Sequence, residues 1–148
     1  AVIVSINRQF SHNDTLYMTR TLYYCIIMGV LSMLIGSCRV AREIKSVDAA
    51  TFKAEVSSAT VQLLDVRTAD EFAKGHLEKS INIDVHESHF TEMVKERFDK
   101  SQPIYLYCRS GKRSLMAAQT LVKEGYQIVN LKDGILGWLD AGYPISQE

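Results

Sequence analysis

The sequence lacks the features of a protein held together by disulfides or by a bound metal. Its 148 residues include only three cysteines, Cys25, Cys38 and Cys108, which stand 13 and 70 residues apart. An odd number at these spacings fits neither a disulfide framework nor the paired C-x-x-C ligands of a zinc site. The four histidines form no H-E-x-x-H pattern. We therefore expect neither a metal nor a cofactor.

The chain also lacks a surplus of charge of one sign and has few residues that break helices or strands. It carries 17 basic and 17 acidic side chains, with two prolines and eight glycines. A balanced charge offers little attraction to a phosphate backbone, so nucleic acid is not an expected partner. The apolar fraction of 47% is that of an ordinary globular domain, which excludes disordered and collagen-like chains.

One uncharged run stands near the N-terminus. It spans the 14 residues from Leu22 to Ile35 and follows Met18 and the basic Arg20. As a helix it would be about 21 Å long, which is short of the ~30 Å hydrocarbon core of a membrane. This pattern is typical of the apolar core of a secretory signal peptide. We predict a signal peptide over residues 18–37, with residues 1–17 as an upstream extension.

The end of this segment is similar to a bacterial lipobox. In such motifs the cysteine that ends a run like Leu34-Ile35-Gly36-Ser37-Cys38 is lipidated and becomes the mature N-terminus. The resemblance implies lipidation of Cys38 and a place in the bacterial cell envelope, either periplasmic or lipid-anchored. Contact with a membrane is then expected only through the anchor or the signal segment. The alternatives are an uncleaved signal anchor and a core helix that ends in an inert cysteine.

Residues 38–148 show strand and helix patterns in alternation and are predicted to form one domain. Short apolar runs predict strands at residues 61–66, 81–83, 104–107 and 128–131. Apolar residues three or four apart predict helices at residues 47–56, 69–73, 90–98 and 114–123. In the last helix, Leu115 and Met116 are expected to face the core. The alternation predicts an α/β fold, with a mostly parallel sheet flanked by helices on both faces.

A cysteine stands where the third predicted strand gives way to a helix. Cys108 directly follows the strand, and Arg109, Lys112 and Arg113 lie within the next five residues. A helix N-terminus presents unpaired N–H groups and partial positive charge, and consecutive loop amides can converge on an anion. Because these groups favour a thiolate over a thiol, we expect a reactive sulfur that is accessible to solvent.

Four further residues are assigned to this region. Gly111 provides the backbone freedom that a tight turn around one atom requires, and Ser114 is a candidate N-cap of the following helix. Asp65 and Arg67 end the first predicted strand, on the edge of the sheet where ligands gather. They either hold and orient the cysteine loop or form a structural ion pair with neighbours such as Glu71.

The cysteine loop resembles the active-site loop of rhodaneses, the sulfurtransferases that carry sulfur as a cysteine persulfide. The segment that carries this resemblance is Cys108-Arg109-Ser110-Gly111-Lys112-Arg113-Ser114. Four more segments resemble other motifs of the family in the same order: Leu64-Asp65-Val66-Arg67, Glu71-Phe72 with Gly75-His76-Leu77, Ser80-Ile81-Asn82-Ile83, and Gly134-Ile135-Leu136-Gly137-Trp138 with Gly142-Tyr143-Pro144. The resemblance covers roughly residues 44–145, and it implies a rhodanese-like fold.

The resemblance also implies a sulfurtransferase activity. Cys108 is the implied catalytic nucleophile, which takes the outer sulfur of a small anionic donor such as thiosulfate and passes it to a thiol, sulfite or cyanide-like acceptor. The implied persulfide-binding loop comprises Arg109, Ser110, Gly111, Lys112, Arg113 and Ser114, with Asp65 and Arg67 in support. Two-domain members commonly have an arginine where this chain has Glu71, and several have a lysine in place of Ser110. These departures weaken the expectation that thiosulfate is the physiological donor.

Two other functions remain open from the sequence. A cysteine-dependent phosphatase or arsenate reductase also uses a strand, a thiolate loop and a helix N-terminus, but it places five residues between cysteine and arginine. Here four residues separate Cys108 from Arg113, and the shorter loop suits a sulfur atom better than a phosphoryl group. A non-catalytic rhodanese-like binding or sensor module is the second alternative, although such modules often lack the cysteine.

Overall fold

The structure, a computed structural model, describes residues 19–26, 44–57 and 60–147. The chain divides into two units, Ala1–Val40 and Ala41–Glu148. In the first unit, residues 19–26 are helical and their side chains are exposed. The predicted upstream extension, the rest of the predicted signal peptide and Cys38 lie outside the described residues. Within the described ranges, no helix has the length and apolar character needed to cross a membrane.

The second unit alternates strands and helices along the chain. Its strands are β1 (Ile44–Val47), β2 (Gln62–Asp65), β3 (Ile81–Asn82), β4 (Ile104–Tyr107) and β5 (Ile128–Leu131). Its helices are α1 (Ala49–Val56), α2 (Ala69–Ala73), α3 (Phe90–Arg97), α4 (Lys112–Lys123) and α5 (Gly134–Asp140). The strands form one sheet in the order β1-β5-β4-β2-β3, and all the neighbouring strands pair in parallel. The predicted α/β fold is confirmed.

Apolar side chains cover both faces of the sheet. Leu64 and Leu106 belong to a core that includes residues of α3 and α4, whereas Leu63 and Tyr107 belong to a second core with residues of α1 and α5. The division follows from the strand geometry, because successive side chains point to opposite faces. In the register of β2 and β4, Asp65 lies opposite Tyr107. The loops that follow these two strands therefore leave the same edge of the sheet.

Two elements of the unit were not predicted. Residues 44–47, with only two apolar positions, form the edge strand β1, so the prediction that a helix begins at Val47 is wrong. The strand exists because its backbone pairs with β5 from Ile44 to Val47, and sequence patterns do not record such pairing. The second element is α5, a helix of seven residues that contains Gly134 and Gly137, which are poor helix formers.

The helix after the cysteine loop differs from its prediction in three ways. It begins at Lys112, and Gly111 occupies the N-cap position with φ 85°, so Ser114 is inside the helix and is not its cap. The buried face of α4 consists of Ser114, Ala117, Ala118 and Leu121. Leu115 and Met116 are 40% and 56% exposed, so their predicted core positions are wrong. The small residues on the buried face allow the helix to approach the sheet closely.

Candidate active site

The thiol of Cys108 lies at the bottom of the loop between β4 and α4. The residue is only 1% exposed and belongs to the core that α3 and α4 share with the sheet. The expectation of a freely accessible sulfur is therefore wrong for this structure. The physical reason is that the loop turns over the sulfur in order to direct its amides towards it. The exposed residues around it are Arg109 and Ser110 in the loop and Lys112 at the start of α4.

Hydrogen bonds to the sulfur outweigh the effect of its burial. Burial, the largest single influence, raises the pKa of the Cys108 thiol. Hydrogen bonds from the Ser114 hydroxyl and from the N–H groups of Ser114, Ser110 and Gly111 lower it, and the pKa ends below its ordinary value. These donors stabilise the negative charge of a thiolate, which is the nucleophilic form of cysteine. The predicted stabilisation by loop amides is thus present, and a hydroxyl adds to it.

Ser114 contributes a proton that has two acceptors within reach. Its hydroxyl oxygen lies 3.1 Å from the carbonyl oxygen of Gly111 and donates to it, while the same hydroxyl also interacts with the thiol of Cys108. A hydroxyl has one proton to donate. Because an ionised acceptor forms the stronger hydrogen bond, the proton turns to the sulfur when Cys108 is a thiolate.

The N-terminus of α5 shapes the cysteine loop from behind. The N–H of Ile135 donates to the carbonyl oxygen of Cys108 at 2.8 Å, and the N–H of Leu136 donates to that of Arg109 at 3.1 Å. With the carbonyl group of Arg109 held in this way, the N–H of Ser110 in the same peptide group is a donor to the sulfur. Sequence reasoning missed this role, because backbone donors leave no side-chain signature. The only signal was the glycine-containing segment that begins at Gly134.

Two glycines permit the close contact between the loop and the turn before α5. Gly111 has φ 85°, and a Cβ atom there would overlap the carbonyl oxygen of Lys132. Gly134 has φ 61°, and its Cβ atom would stand 2.5 Å from the carbonyl oxygen of Cys108. Both the left-handed conformation and the lack of space exclude a side chain at these positions. The prediction for Gly111 is confirmed by this conformation.

The three cations of the loop are not equivalent. Arg109 and Lys112 are exposed, and no ion pair involves either of them among residues 44–57 and 60–147. Arg113 is half-buried and forms a bidentate ion pair with Glu71, with Nη1–Oε2 and Nη2–Oε1 distances of 2.6 and 2.7 Å. The three cations were predicted to favour the thiolate together, but the carboxylate of Glu71 neutralises the charge of Arg113.

Asp65 and Arg67 form a buried ion pair on the other face of the sheet. Arg67 Nη2 lies 2.6 Å from Asp65 Oδ2 and 2.7 Å from the carbonyl oxygen of Gly75, and its guanidinium stacks over the ring of Tyr107 at 5.6 Å. Asp65 is 0% and Arg67 5% exposed. Of the two interpretations left open by the sequence, this geometry matches the structural ion pair, although the carboxylate bonded to Arg67 is Asp65 and not Glu71.

The arrangement around Cys108 can support a nucleophilic displacement in which negative charge stays near the sulfur. The hydrogen bonds favour the thiolate over the thiol, and the thiolate is the form that attacks as a nucleophile. The same N–H groups can stabilise a second sulfur atom bound to the first, because fixed donors need no rearrangement as charge moves.

Comparison with known proteins assigns this geometry to a family. A family model described as a rhodanese-like domain matches residues 48–141. The chain is 38% identical over 130 residues to thiosulfate sulfurtransferase 18 of Arabidopsis thaliana, covering 80% of this chain and 95% of that protein. It is 34% identical over 86 residues to a sulfurtransferase of Allochromatium vinosum, covering 57% of this chain and 78% of that protein.

Solved structures agree with this assignment. The crystal structure of a rhodanese-related protein from Thermoplasma volcanium is similar with a TM-score of 0.63 at 31% identity, over 70% of this chain and 99% of that one. A rhodanese-like domain protein from Staphylococcus aureus is similar with a TM-score of 0.57 at 28% identity, over 64% of this chain and 90% of that one. By family model, sequence identity and fold, the chain belongs to the rhodanese family.

Proposed function

We propose that the protein is a sulfurtransferase that carries sulfane sulfur as a persulfide on Cys108. The observation that supports this proposal best is the ring of hydrogen-bond donors around a single thiol, which lowers the pKa of Cys108 in spite of its burial. The names of the relatives in Arabidopsis and Allochromatium are consistent with the same chemistry. Thiosulfate or a related anion is the proposed donor, and a thiol, sulfite or cyanide-like compound is the proposed acceptor.

The proposed reaction has two displacement steps. With thiosulfate, the thiolate of Cys108 attacks the outer sulfur, a new S–S bond forms, and sulfite leaves with the electron pair of the old one. The acceptor then attacks the outer sulfur of the persulfide, and Cys108 returns as a thiolate. Neither step requires an oxidant or a metal. The N–H groups of Ser110 and Gly111 hold the negative charge of the persulfide between the steps.

Intact-mass spectrometry after incubation with thiosulfate tests the proposal. We expect a gain of the mass of one sulfur atom, which disappears on addition of cyanide as thiocyanate forms. The variant Cys108→Ser should show no gain, whereas Cys25→Ser, which alters an exposed cysteine outside the domain, should show the full gain. A wild-type protein that gains sulfur neither from thiosulfate nor from a singly charged sulfane-sulfur donor would overturn the proposal. Hydrolysis of an aryl phosphate would favour a phosphatase, and a partner retained by Cys108→Ser without sulfur transfer would favour a binding module.

We also propose that the protein is exported and anchored through a lipid on Cys38 in a bacterial envelope. Support comes from the sequence alone, namely the 14 uncharged residues from Leu22 to Ile35 and the Gly36-Ser37-Cys38 segment that follows. Labelling of expressing bacteria with a palmitate analogue tests it. The wild-type chain should take up the label and Cys38→Ser should not. A wild-type chain without label would exclude the anchor and leave the proposed sulfur transfer unaffected.

A further inference from the structure

The ion pair between Glu71 and Arg113 uses both hydrogen-bonding arms of the guanidinium. The two contacts of 2.6 and 2.7 Å join Nη1 and Nη2 to the two carboxylate oxygens. A guanidinium recognises carboxylates and other oxyanions through such a fork of parallel N–H groups. While Glu71 occupies the fork, Arg113 cannot offer the same bidentate contact to an oxyanion that approaches Cys108.

Glu71 is itself fixed in place at the start of α2. Its Oε2 accepts hydrogen bonds from the backbone N–H and the hydroxyl of Thr68, at 3.3 and 3.2 Å, which completes a capping box. Hydrogen bonds from Arg113, followed by those from Thr68, outweigh burial and lower the pKa of Glu71 to about 2. The carboxylate is therefore ionised at neutral pH and does not leave the pair by protonation.

The pair changes the charge that a sulfur donor meets near Cys108. Arg113 interacts electrostatically with the Cys108 thiolate and with Asp84 as well as with Glu71. Once the charge of Glu71 is counted, the guanidinium adds little net positive charge to this side of the loop. The other two cations, Arg109 and Lys112, are exposed, where water and salt weaken their effect. A donor with two negative charges is therefore attracted to this site less strongly than the presence of three cations alone would predict.

We propose that Glu71 makes the site select sulfane-sulfur donors with a single negative charge, as in a thiol persulfide, over the thiosulfate dianion. This inference rests on the persulfide chemistry of Cys108 proposed above. The thiolate of Cys108 attacks the outer sulfur of the donor R–S–S⁻ and forms a new S–S bond. The S–S bond of the donor breaks, and R–S⁻ leaves with its electron pair. One thiolate replaces another, so charge and electrons balance without an oxidant.

Two donors that differ by one charge provide the test. Thiosulfate carries two negative charges, and methanethiosulfonate, in which a methyl group replaces one oxygen, carries one. Both deliver their outer sulfur to a thiolate, and they release sulfite and methanesulfinate respectively. Because their leaving groups differ, the informative quantity is the ratio of kcat/KM for thiosulfate to that for methanethiosulfonate, compared between the wild type and variants.

The variant Glu71→Gln releases Arg113 while it preserves the cap of α2, because glutamine also completes a capping box. We expect the ratio to rise about tenfold, since removal of one negative charge favours a dianion more than a monoanion. The gain should appear mainly as a lower KM for thiosulfate, and it should shrink as ionic strength rises. A purely structural role of Glu71 would change both donors equally.

Two controls isolate the guanidinium as the cause. In Glu71→Gln combined with Arg113→Gln, the net charge of the pair is again zero, and the ratio should return to the wild-type value. Glu124→Gln breaks a comparable ion pair, Glu124 with Lys95 at 2.7 Å, near the other end of the same helix and about 16 Å away along it. This control should leave the ratio unchanged.

The failure of this inference differs from the failure of the proposed function. Suppose that the wild type accepts sulfur from both donors and that Glu71→Gln leaves the ratio within about twofold of the wild-type value. Such a change is smaller than one screened charge produces, so the role of Glu71 would be excluded while the persulfide chemistry stands. A ratio that stays high in the double variant also excludes the role of Arg113. A wild type that gains sulfur from neither donor overturns both proposals.

Discussion

The loops after β2 and β4 leave the same edge of the sheet, and an arginine in the first loop and one directly after the second are each bonded to a carboxylate. Arg67 and Asp65 are buried and lie on the side of the sheet where Tyr107 packs. Arg113 and Glu71 keep about a quarter of their side chains exposed, beside the loop that contains Cys108. Residue type and distance therefore do not separate a scaffold ion pair from one that tunes a site, whereas burial and position do.

The two pairs also differ in what their loss would change. In a buried pair, removing one partner leaves an uncompensated charge in a medium of low polarity, which is strongly destabilising. In a partly exposed pair, water replaces the lost contact, and the free energy of unfolding changes little. We therefore expect the first pair to govern stability and the second to govern chemistry.

The largest expected effect is that of Arg67→Ala, which leaves Asp65 buried without its cation. The free energy of unfolding should fall by about 3–5 kcal/mol, measured by urea denaturation. Arg97→Ala, which removes an exposed arginine of α3, should stay within about 0.5 kcal/mol of the wild type. If Arg67→Ala keeps its stability but loses sulfur transfer, Arg67 belongs to the site and its pair with Asp65 is not a scaffold ion pair.

An intermediate effect is expected for Ser114→Ala, which removes a hydrogen bond to the thiolate. The pKa of Cys108 should rise, because the thiolate loses a hydrogen bond, and such a bond to a charged group contributes about 1.5 kcal/mol. The rate of persulfide formation rises with pH as the thiolate forms. The midpoint of this rate–pH curve should therefore move to higher pH in the variant. Thr120→Ala, which removes an exposed hydroxyl of the same helix, should leave the midpoint where it is. An unchanged midpoint in Ser114→Ala would show that the amides alone stabilise the thiolate.

The smallest effect is the acid response of the Glu71–Arg113 pair. Since the pKa of Glu71 is lowered to about 2 from an ordinary 4.5, the pair stabilises the fold above pH 4.5, and this contribution is lost as pH falls from 4.5 towards 2. Partial exposure limits it to about 1 kcal/mol. The difference in unfolding free energy between the wild type and Glu71→Gln should shrink through this window. A difference that is constant with pH would contradict the pairing.

Local patterns were enough to predict most of the fold and the position of the thiol that is proposed as the nucleophile. Residues 104–107 and 128–131 form the predicted strands, because their apolar runs meet both cores of the sheet. Cys108 could be singled out because a thiol among cations at a strand end is chemically conspicuous. The edge strand β1 could not be predicted, since it depends on its pairing with β5 and not on its own residues.

Long-range contacts account for what the sequence did not reveal about the site. The bond between Arg113 and Glu71 joins residues 42 positions apart, and only the folded chain brings them together. Leu115 and Met116 are exposed because the loop sets the rotation of α4, so that Ser114 faces the sulfur. Local periodicity contains no information about that rotation.

The bonds from Ile135 and Leu136 to the carbonyl groups of Cys108 and Arg109 have a consequence for biogenesis. A ribosome makes the nucleophile well before it makes the helix that aligns the surrounding amides. A nascent chain, or one cut before residue 134, contains the thiol without the ordered turn that activates it. The lowering of the Cys108 pKa therefore depends on docking of the C-terminal segment, and until then the chain contains an ordinary thiol.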